Sequence, residues 1–131
     1  MTERIRLLLV DDEEAFRTTL ASRLRRRAFD VLDVESGYRA LEAVKRTAFD
    51  VAIIDVKMPG MDGLETLREM KSISALIEVI MLTGHASVES GIEGMRLGAF
   101  DYVMKPCDID ALVVKIGDAY QRKLAREVSG E

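Results

Sequence analysis

Four short apolar runs in this chain each stop at a chemically reactive polar residue: 7–10 at Asp11-Asp12, 51–54 at Asp55, 77–82 at Thr83 and 102–104 at Lys105-Pro106. In an open α/β sheet the carboxyl ends of parallel strands share one edge, so if these runs are strands, residues far apart in sequence converge there. Three carboxylates, a hydroxyl and an ammonium then meet at one site.

The rest of the pattern fits that arrangement. Runs at 5–10, 31–34, 51–56, 77–82 and 102–104 are mostly free of polar alternation, as expected of parallel strands covered on both faces. Helical periodicity fills the gaps. Phe16, Leu20 and Leu24 recur every four residues; Val88, Ile92, Met95 and Ala99 follow a second stripe, and Ile109, Leu112, Val113, Ile116 and Tyr120 a third. Each stripe is expected to pack on the sheet. Asp62-Gly63-Leu64-Glu65 has capping-box spacing, and Ser36, Ser87 and Asp108 are candidate N-caps for other helices. Repeated βα units of this length predict a doubly wound, five-stranded parallel sheet with a ligand site at its switch point.

With 131 residues the chain suits one domain. The expected domain covers 1–124, followed by 125–131 as a polar tail or the start of a linker. No apolar run approaches the roughly 18 residues of a membrane span. A net charge of −4 gives no electrostatic footprint for nucleic acid, so direct nucleic-acid binding and membrane insertion are both unexpected. The N-terminus offers no small-residue cleavage site, which points to a cytoplasmic location. Cys107 is the single cysteine, which excludes an internal disulfide and any multi-cysteine metal site.

Asp11, Asp12 and Asp55 form a hard-oxygen set suited to Mg²⁺ (or Mn²⁺), which takes a few carboxylates and keeps water or phosphate oxygens. Three clustered carboxylates repel one another and raise at least one pKa, so a purely structural role is penalised. A carboxylate is also a competent nucleophile for phosphoryl transfer, while lysine and a hydroxyl stabilise the equatorial oxygens. Singly, each motif reads as a turn, a loop or a strand end. Their recurrence at successive strand ends favours chemistry.

Over about residues 5–124 the chain resembles the response-regulator receiver domain of two-component signalling, with its flavodoxin-like (βα)5 fold. The resemblance rests on Leu9-Val10-Asp11-Asp12-Glu13, on 54–63 (Ile-Asp-Val-Lys-Met-Pro-Gly-Met-Asp-Gly), on Leu82-Thr83-Gly84, and on 98–106 (Gly-Ala-Phe-Asp-Tyr-Val-Met-Lys-Pro). It implies that Asp55 is the phosphoacceptor. Asp12 is then a direct Mg²⁺ ligand, Asp11 acts on the ion indirectly, through water or from behind the direct ligands, and Lys57 contributes its backbone carbonyl. Lys105 pairs with the phosphoryl group, Thr83 hydrogen-bonds to it, and Tyr102 is the aromatic switch that tracks Thr83. The resemblance further implies a cis Lys105–Pro106 bond and an output face near residues 87–122, formed by the fourth helix, fifth strand and fifth helix. Homodimerisation through that face is a possible consequence. Its implied partners are a histidine kinase or phosphotransfer protein and a downstream effector domain or protein.

Gly84-His85, Phe100-Asp101-Tyr102 and Asp108-Ile109-Asp110 are most similar to receivers of nitrogen-regulation-type activators that work with an alternative sigma factor. A protein of this kind is a switch that catalyses only its own phosphorylation and dephosphorylation. Two rivals differ from it. An aspartyl-nucleophile phosphatase places two alternating aspartates after its first strand, whereas this chain has adjacent ones. A receiver-like interaction module independent of phosphate would have lost Asp12, Asp55 or Lys105, and all three remain.

Other features have plainer readings. His85 lacks clustered ligand partners and reads as a loop histidine. Arg23, Arg25, Arg26 and Arg27 read as cations solvating a helix end. Six internal methionines, Met58, Met61, Met70, Met81, Met95 and Met104, read as core filler.

Overall fold

The computed structural model describes residues 4–84 and 88–130. Five strands alternate with five helices: β1 (Arg6–Val10), α1 (Glu14–Arg26), β2 (Asp30–Val34), α2 (Gly37–Arg46), β3 (Val51–Asp55), α3 (Gly63–Ile73), β4 (Glu78–Thr83), α4 (Val88–Arg96), β5 (Asp101–Met104) and α5 (Ile109–Ser129). The strands form one parallel sheet in the order β2-β1-β3-β4-β5. Each strand lies within a residue of its apolar run. The chain leaves β1 first to one side and then to the other, so the switch point falls between β1 and β3.

Successive side chains of a strand point to opposite faces, and the two halves of the core follow from that. Leu7, Leu9, Ile53, Ile80 and Leu82 meet Leu20 and Leu24 of α1 and Leu112 and Ile116 of α5. Leu8, Val10, Ala52, Ile54, Val79 and Met81 meet α2 and α3 through Ala40, Leu67 and Met70. Each fully buried Leu or Ile contributes about 1.5–3 kcal/mol of transfer free energy, which accounts for these strands tolerating no polar alternation. Met58, Met70 and Met81 are core residues, as their sequence reading has it, whereas Met95 is exposed.

The expectation for α4 needs correction. Two residues of its apolar stripe, Ile92 and Met95, turn away from the sheet and are 53% and 41% exposed. Gly91 and Gly94 are the buried positions instead. A Cβ at Gly94 would stand 3.1 Å from Met81 Cγ, and one at Gly91 3.1 Å from the Tyr102 ring. The helix therefore approaches the sheet more closely than a larger side chain permits, and this turns its apolar residues outward. Ala99 is buried, but beyond the helix.

Helix starts follow local chemistry. Ser36, Asp62 and Asp108 accept backbone N–H bonds from Arg39 (3.2 Å), Glu65 (2.9 Å) and Ala111 (3.3 Å). Ser87 and His85 lie outside the described residues. The basic cluster does more than solvate a helix end: Arg25 donates to the Val31 carbonyl at 2.9 Å and to Asp33 at 3.1 Å, and Arg27 pairs with Asp110. Helix α5 continues through Ser129, and Gly130 closes it in the left-handed region at φ 78°. No helix among the described residues is long and apolar enough to cross a membrane.

Candidate functional site

At the carboxyl edge of the sheet, β1 delivers Asp11 and Asp12, β3 ends in Asp55, β4 ends in Thr83, and β5 leads into Lys105. One carboxylate oxygen from each of Asp11, Asp12 and Asp55 can be chosen so that all three lie within 4.8 Å of one another. Asp11 and Asp55 are buried and Asp12 is exposed. Lys105 Nζ binds the cluster together, standing 2.8 Å from Asp11 Oδ2 and 3.3 Å from Asp55 Oδ1.

One backbone hydrogen bond fixes that lysine. Its N–H donates to the Thr83 carbonyl at 2.7 Å, which continues the β4–β5 ladder, and its bond to Pro106 is cis. The Lys105 ammonium is stabilised in its charged form. Burial pulls its pKa down, but the carboxylates of Asp11 and Glu13 outweigh that and raise it. Asp55 is pushed the other way, from 3.8 to about 6, first by burial and then by the Asp11 charge, with Lys105 opposing.

The donor set fits a hard divalent cation. Asp11 Oδ1 accepts the Glu13 N–H at 2.9 Å, but buried Oδ2 has no hydrogen-bond donor among the described residues. Lys105 is near enough to that oxygen to form an ion pair, yet lies off hydrogen-bonding alignment. A buried carboxylate oxygen with spare accepting capacity, two further carboxylates close by and, among the described residues, no nitrogen or sulfur ligand in the cluster match Mg²⁺ or Mn²⁺ chemistry. Lys57 is exposed in the loop after β3.

Thr83 ends β4 at this edge, and Tyr102 lies on the neighbouring strand β5, where its register partner is Met81. The buried Thr83 hydroxyl donates to Met104 Sδ at 3.2 Å and not to Asp55. The half-buried Tyr102 ring and the Thr83 methyl both border Gly91, where a Cβ would come within 3.1 and 3.6 Å of them.

Sequence reasoning passed over three neighbours. Glu13 carries its carboxylate to 3.0 Å from Lys105 Nζ, and the Phe16 ring lies under the same ammonium at 4.4 Å. Arg17 is almost buried and joins two strand ends, donating to the Asp11 carbonyl at 2.9 Å and to Asp33 at 3.0 Å. Glu13 directly follows the aspartate pair, but only the fold brings it to a lysine 92 positions away.

Gly63 holds the acceptor strand in place from the other side. A Cβ there would fall 2.3 Å from the Asp55 carbonyl oxygen and 2.7 Å from Val56 Cα, and both are backbone atoms with little room to retreat. The Gly63 N–H also donates to the Val56 carbonyl at 2.8 Å. Gly63→Ala is therefore expected to cost about 2–3 kcal/mol, as overpacking does, measured by urea denaturation. A loss below the scatter of surface substitutions would show that α3 can move away from β3 freely.

The site is thus an acidic cluster with one bridging lysine at the switch point of a five-stranded parallel α/β domain. A sequence profile for the response regulator receiver domain matches residues 7–117. The chain belongs to that family. It is 40% identical over 110 residues to the transcriptional regulatory protein ZraR of Escherichia coli strain K12, covering 84% of this chain and 25% of that protein. The match to the DNA-binding transcriptional regulator NtrC of Klebsiella pneumoniae is 35% over 111 residues, 85% of this chain and 24% of that protein. Among solved structures, a response regulator receiver domain protein of Clostridium thermocellum superposes with a TM-score of 0.88 at 33% identity, covering 92% of this chain and 98% of that one. The chain spans about a quarter of the length of the curated regulators named above.

Proposed function

We propose that this receiver accepts a phosphoryl group on Asp55 from a histidine kinase or phosphotransfer protein, in a reaction that requires Mg²⁺ or Mn²⁺. The carrying observation is the convergence of Asp11, Asp12 and Asp55 within 4.8 Å, with Lys105 reaching both Asp11 and Asp55. An Asp55 oxygen attacks phosphorus, the new P–O bond forms as the bond to the donor breaks, and the donor leaves with the electron pair. Asp12 and Asp11 would hold the cation with Asp55 and the Lys57 carbonyl, and the bound cation supplies positive charge against the transferring oxygens. Lys105 pairs with the phosphoryl group.

Thr83 supports the same reading. Its hydroxyl donates to a thioether, a weak acceptor, so exchanging Met104 for a phosphoryl oxygen costs little. Because Thr83 and the Tyr102 ring border the same glycine, a shift of one is felt by the other. The switch then passes to α4, β5 and α5, whose exposed Ile92, Met95 and Val114 offer apolar surface for an effector domain or protein, or for a second copy of the chain. A sigma-factor-dependent activator is the expected effector and the cytoplasm the expected compartment. The chain is then a phosphoacceptor switch acting only on its own acyl phosphate, with a receiver unit over 1–124 and 125–131 as a polar tail or the start of a linker.

Incubation with acetyl phosphate and Mg²⁺ followed by intact mass tests the acceptor. One acid-labile phosphoryl group per chain is expected, and none in Asp55→Asn. A stoichiometric adduct on Asp55→Asn refutes the assignment, and continuous turnover of acetyl phosphate without an adduct would favour a phosphatase.

A further inference from the structure

Glu13 occupies the N-cap position of α1, yet its side chain makes no cap bond there. Its backbone is already engaged at both ends: the N–H donates to Asp11 Oδ1 at 2.9 Å and the carbonyl accepts from Arg17 at 2.9 Å. The carboxylate is free to act elsewhere, and it reaches Lys105 Nζ at 3.0 Å. Asp11, Glu13 and Asp55 thus surround an ammonium that has three protons to donate, with the Phe16 ring beneath it. Of the three carboxylates Glu13 is the one that accepts a hydrogen bond from this ammonium, while Asp11 and Asp55 hold it as ion pairs.

These three carboxylates are not equally able to let go. Asp11 is fully buried and the Asp55 side chain is 8% exposed, whereas the Glu13 side chain is 66% exposed. A carboxylate released into water regains its hydration, while one released inside the fold does not. Glu13 is the partner that can be exchanged at least cost. We propose that Glu13 is a positioning residue that holds Lys105 while Asp55 is unmodified and competes with an incoming phosphoryl group for it. Glu13 thereby sets how readily Asp55 is phosphorylated. The inference rests on Asp55 being the acceptor.

The mechanism is a substitution at the lysine. As acetyl phosphate transfers its phosphoryl group to an Asp55 oxygen and acetate departs with the bonding pair, two charges develop where Lys105 is needed. The Glu13–Lys105 contact breaks, and the ammonium turns to the phosphoryl oxygens. Removing the Glu13 charge frees Lys105 beforehand and also lessens repulsion of the anionic donor. Those two effects separate in a lysine-free background, where only repulsion remains.

The test compares initial rates of Asp55 phosphorylation by acetyl phosphate at fixed Mg²⁺ for the parent, Glu13→Gln, Glu13→Asp, Lys105→Met and Glu13→Gln/Lys105→Met. Glu13→Gln is expected to be about three- to fivefold faster, the scale of a partly exposed ion pair. Glu13→Asp should return toward the parent rate, and the acceleration should vanish when Lys105 is methionine. In the metal-free protein, the Lys105 ammonium ¹⁵N signal should also broaden or shift in Glu13→Gln. Equal rates for parent and Glu13→Gln overturn the inference while leaving the acceptor reading intact. So does an acceleration that persists undiminished in the Lys105→Met background, which assigns the effect to repulsion alone. A parent protein that takes up no phosphate brings down the acceptor reading itself.

Discussion

In metal-free buffer at neutral pH, Asp55→Asn should melt roughly 10 °C above the parent, a gain that shrinks as the pH is lowered. The Asp55 carboxyl is raised from 3.8 to about 6 by burial first and by the Asp11 charge second. The folded state therefore binds this proton more tightly than the unfolded chain. Well below pH 3.8 both states are protonated and Asp55 imposes no penalty. As the pH rises through about 6 the folded protein must carry a buried charge, and the stability that the proton supplied is lost. A separation of about two pKa units corresponds to about 3 kcal/mol, and the side chain is too buried for solvent to screen much of it. Asparagine carries no charge at any of these pH values, so it escapes the loss.

Mg²⁺ should reverse the order. A cation that binds the native carboxylate cluster and not the unfolded chain stabilises by mass action, and it does so only where the cluster is intact. Millimolar Mg²⁺ should raise the melting temperature of the parent at pH 7.5 and that of Asp55→Asn by much less. Asp12→Ala should also melt above the parent without metal, but by a smaller margin, because Asp12 is exposed and its charge is already hydrated. Melting curves from pH 4 to pH 8, with and without Mg²⁺, decide the matter. Superimposable curves for parent and Asp55→Asn would mean that the empty site imposes no electrostatic cost on the fold.

The strands and the site aspartates were legible because both depend on short-range pattern. A run such as Val-Ala-Ile-Ile ending at Asp55 specifies a doubly covered strand and, with it, the edge at which the aspartate emerges. What escaped the pattern were interactions that depend on two distant segments. Glu13 and Lys105 are one case, since neither neighbourhood announces the other. Helix α4 is a second. Its period was read correctly as helical, but an apolar stripe identifies a buried face only when nothing smaller competes, and here Gly91 and Gly94 allow a closer approach than Ile92 and Met95 could. Glu78 is the third: it sits inside an otherwise apolar run, and nothing in that run marks it out from its strand neighbours. The fold buries it completely, at the end of the sheet opposite the aspartates.

That buried glutamate makes Arg126 the surface-facing residue whose loss should cost most. Arg126 NH1 donates to Glu78 Oε2 at 2.8 Å, and NH2 donates to the Ala75 carbonyl at 2.9 Å. Arg122 stands farther off, at 3.5 Å, and is half exposed. One turn away, Lys123 pairs with Asp50 at 2.8 Å, and Asp50 also accepts the Arg6 N–H at 2.8 Å. The last turns of α5 are thus fastened to the amino-terminal edge of the sheet by charge, over a stretch beyond the residues matched by the family profile. Lys71 adds to this corner, with its ammonium bound to the Ala75 and Ile77 carbonyls. Burial lowers its pKa while Glu78 opposes that.

Removing one partner of a buried pair leaves the other charged and desolvated, so Arg126→Ala should cost about 3 kcal/mol and lower the melting temperature by roughly 10 °C. Arg122→Ala should cost well under half as much, because its guanidinium is farther away and hydrated. Glu78→Gln/Arg126→Met removes both charges together and should be less destabilised than Arg126→Ala alone, since no uncompensated ion remains. Amide hydrogen exchange supplies the structural readout, with residues 120–129 exchanging faster in Arg126→Ala and residues of β1 and β3 unchanged until global unfolding. If Arg126→Ala and Arg122→Ala cost the same small amount, Glu78 is satisfied without Arg126 and the end of α5 is held by its apolar contacts instead.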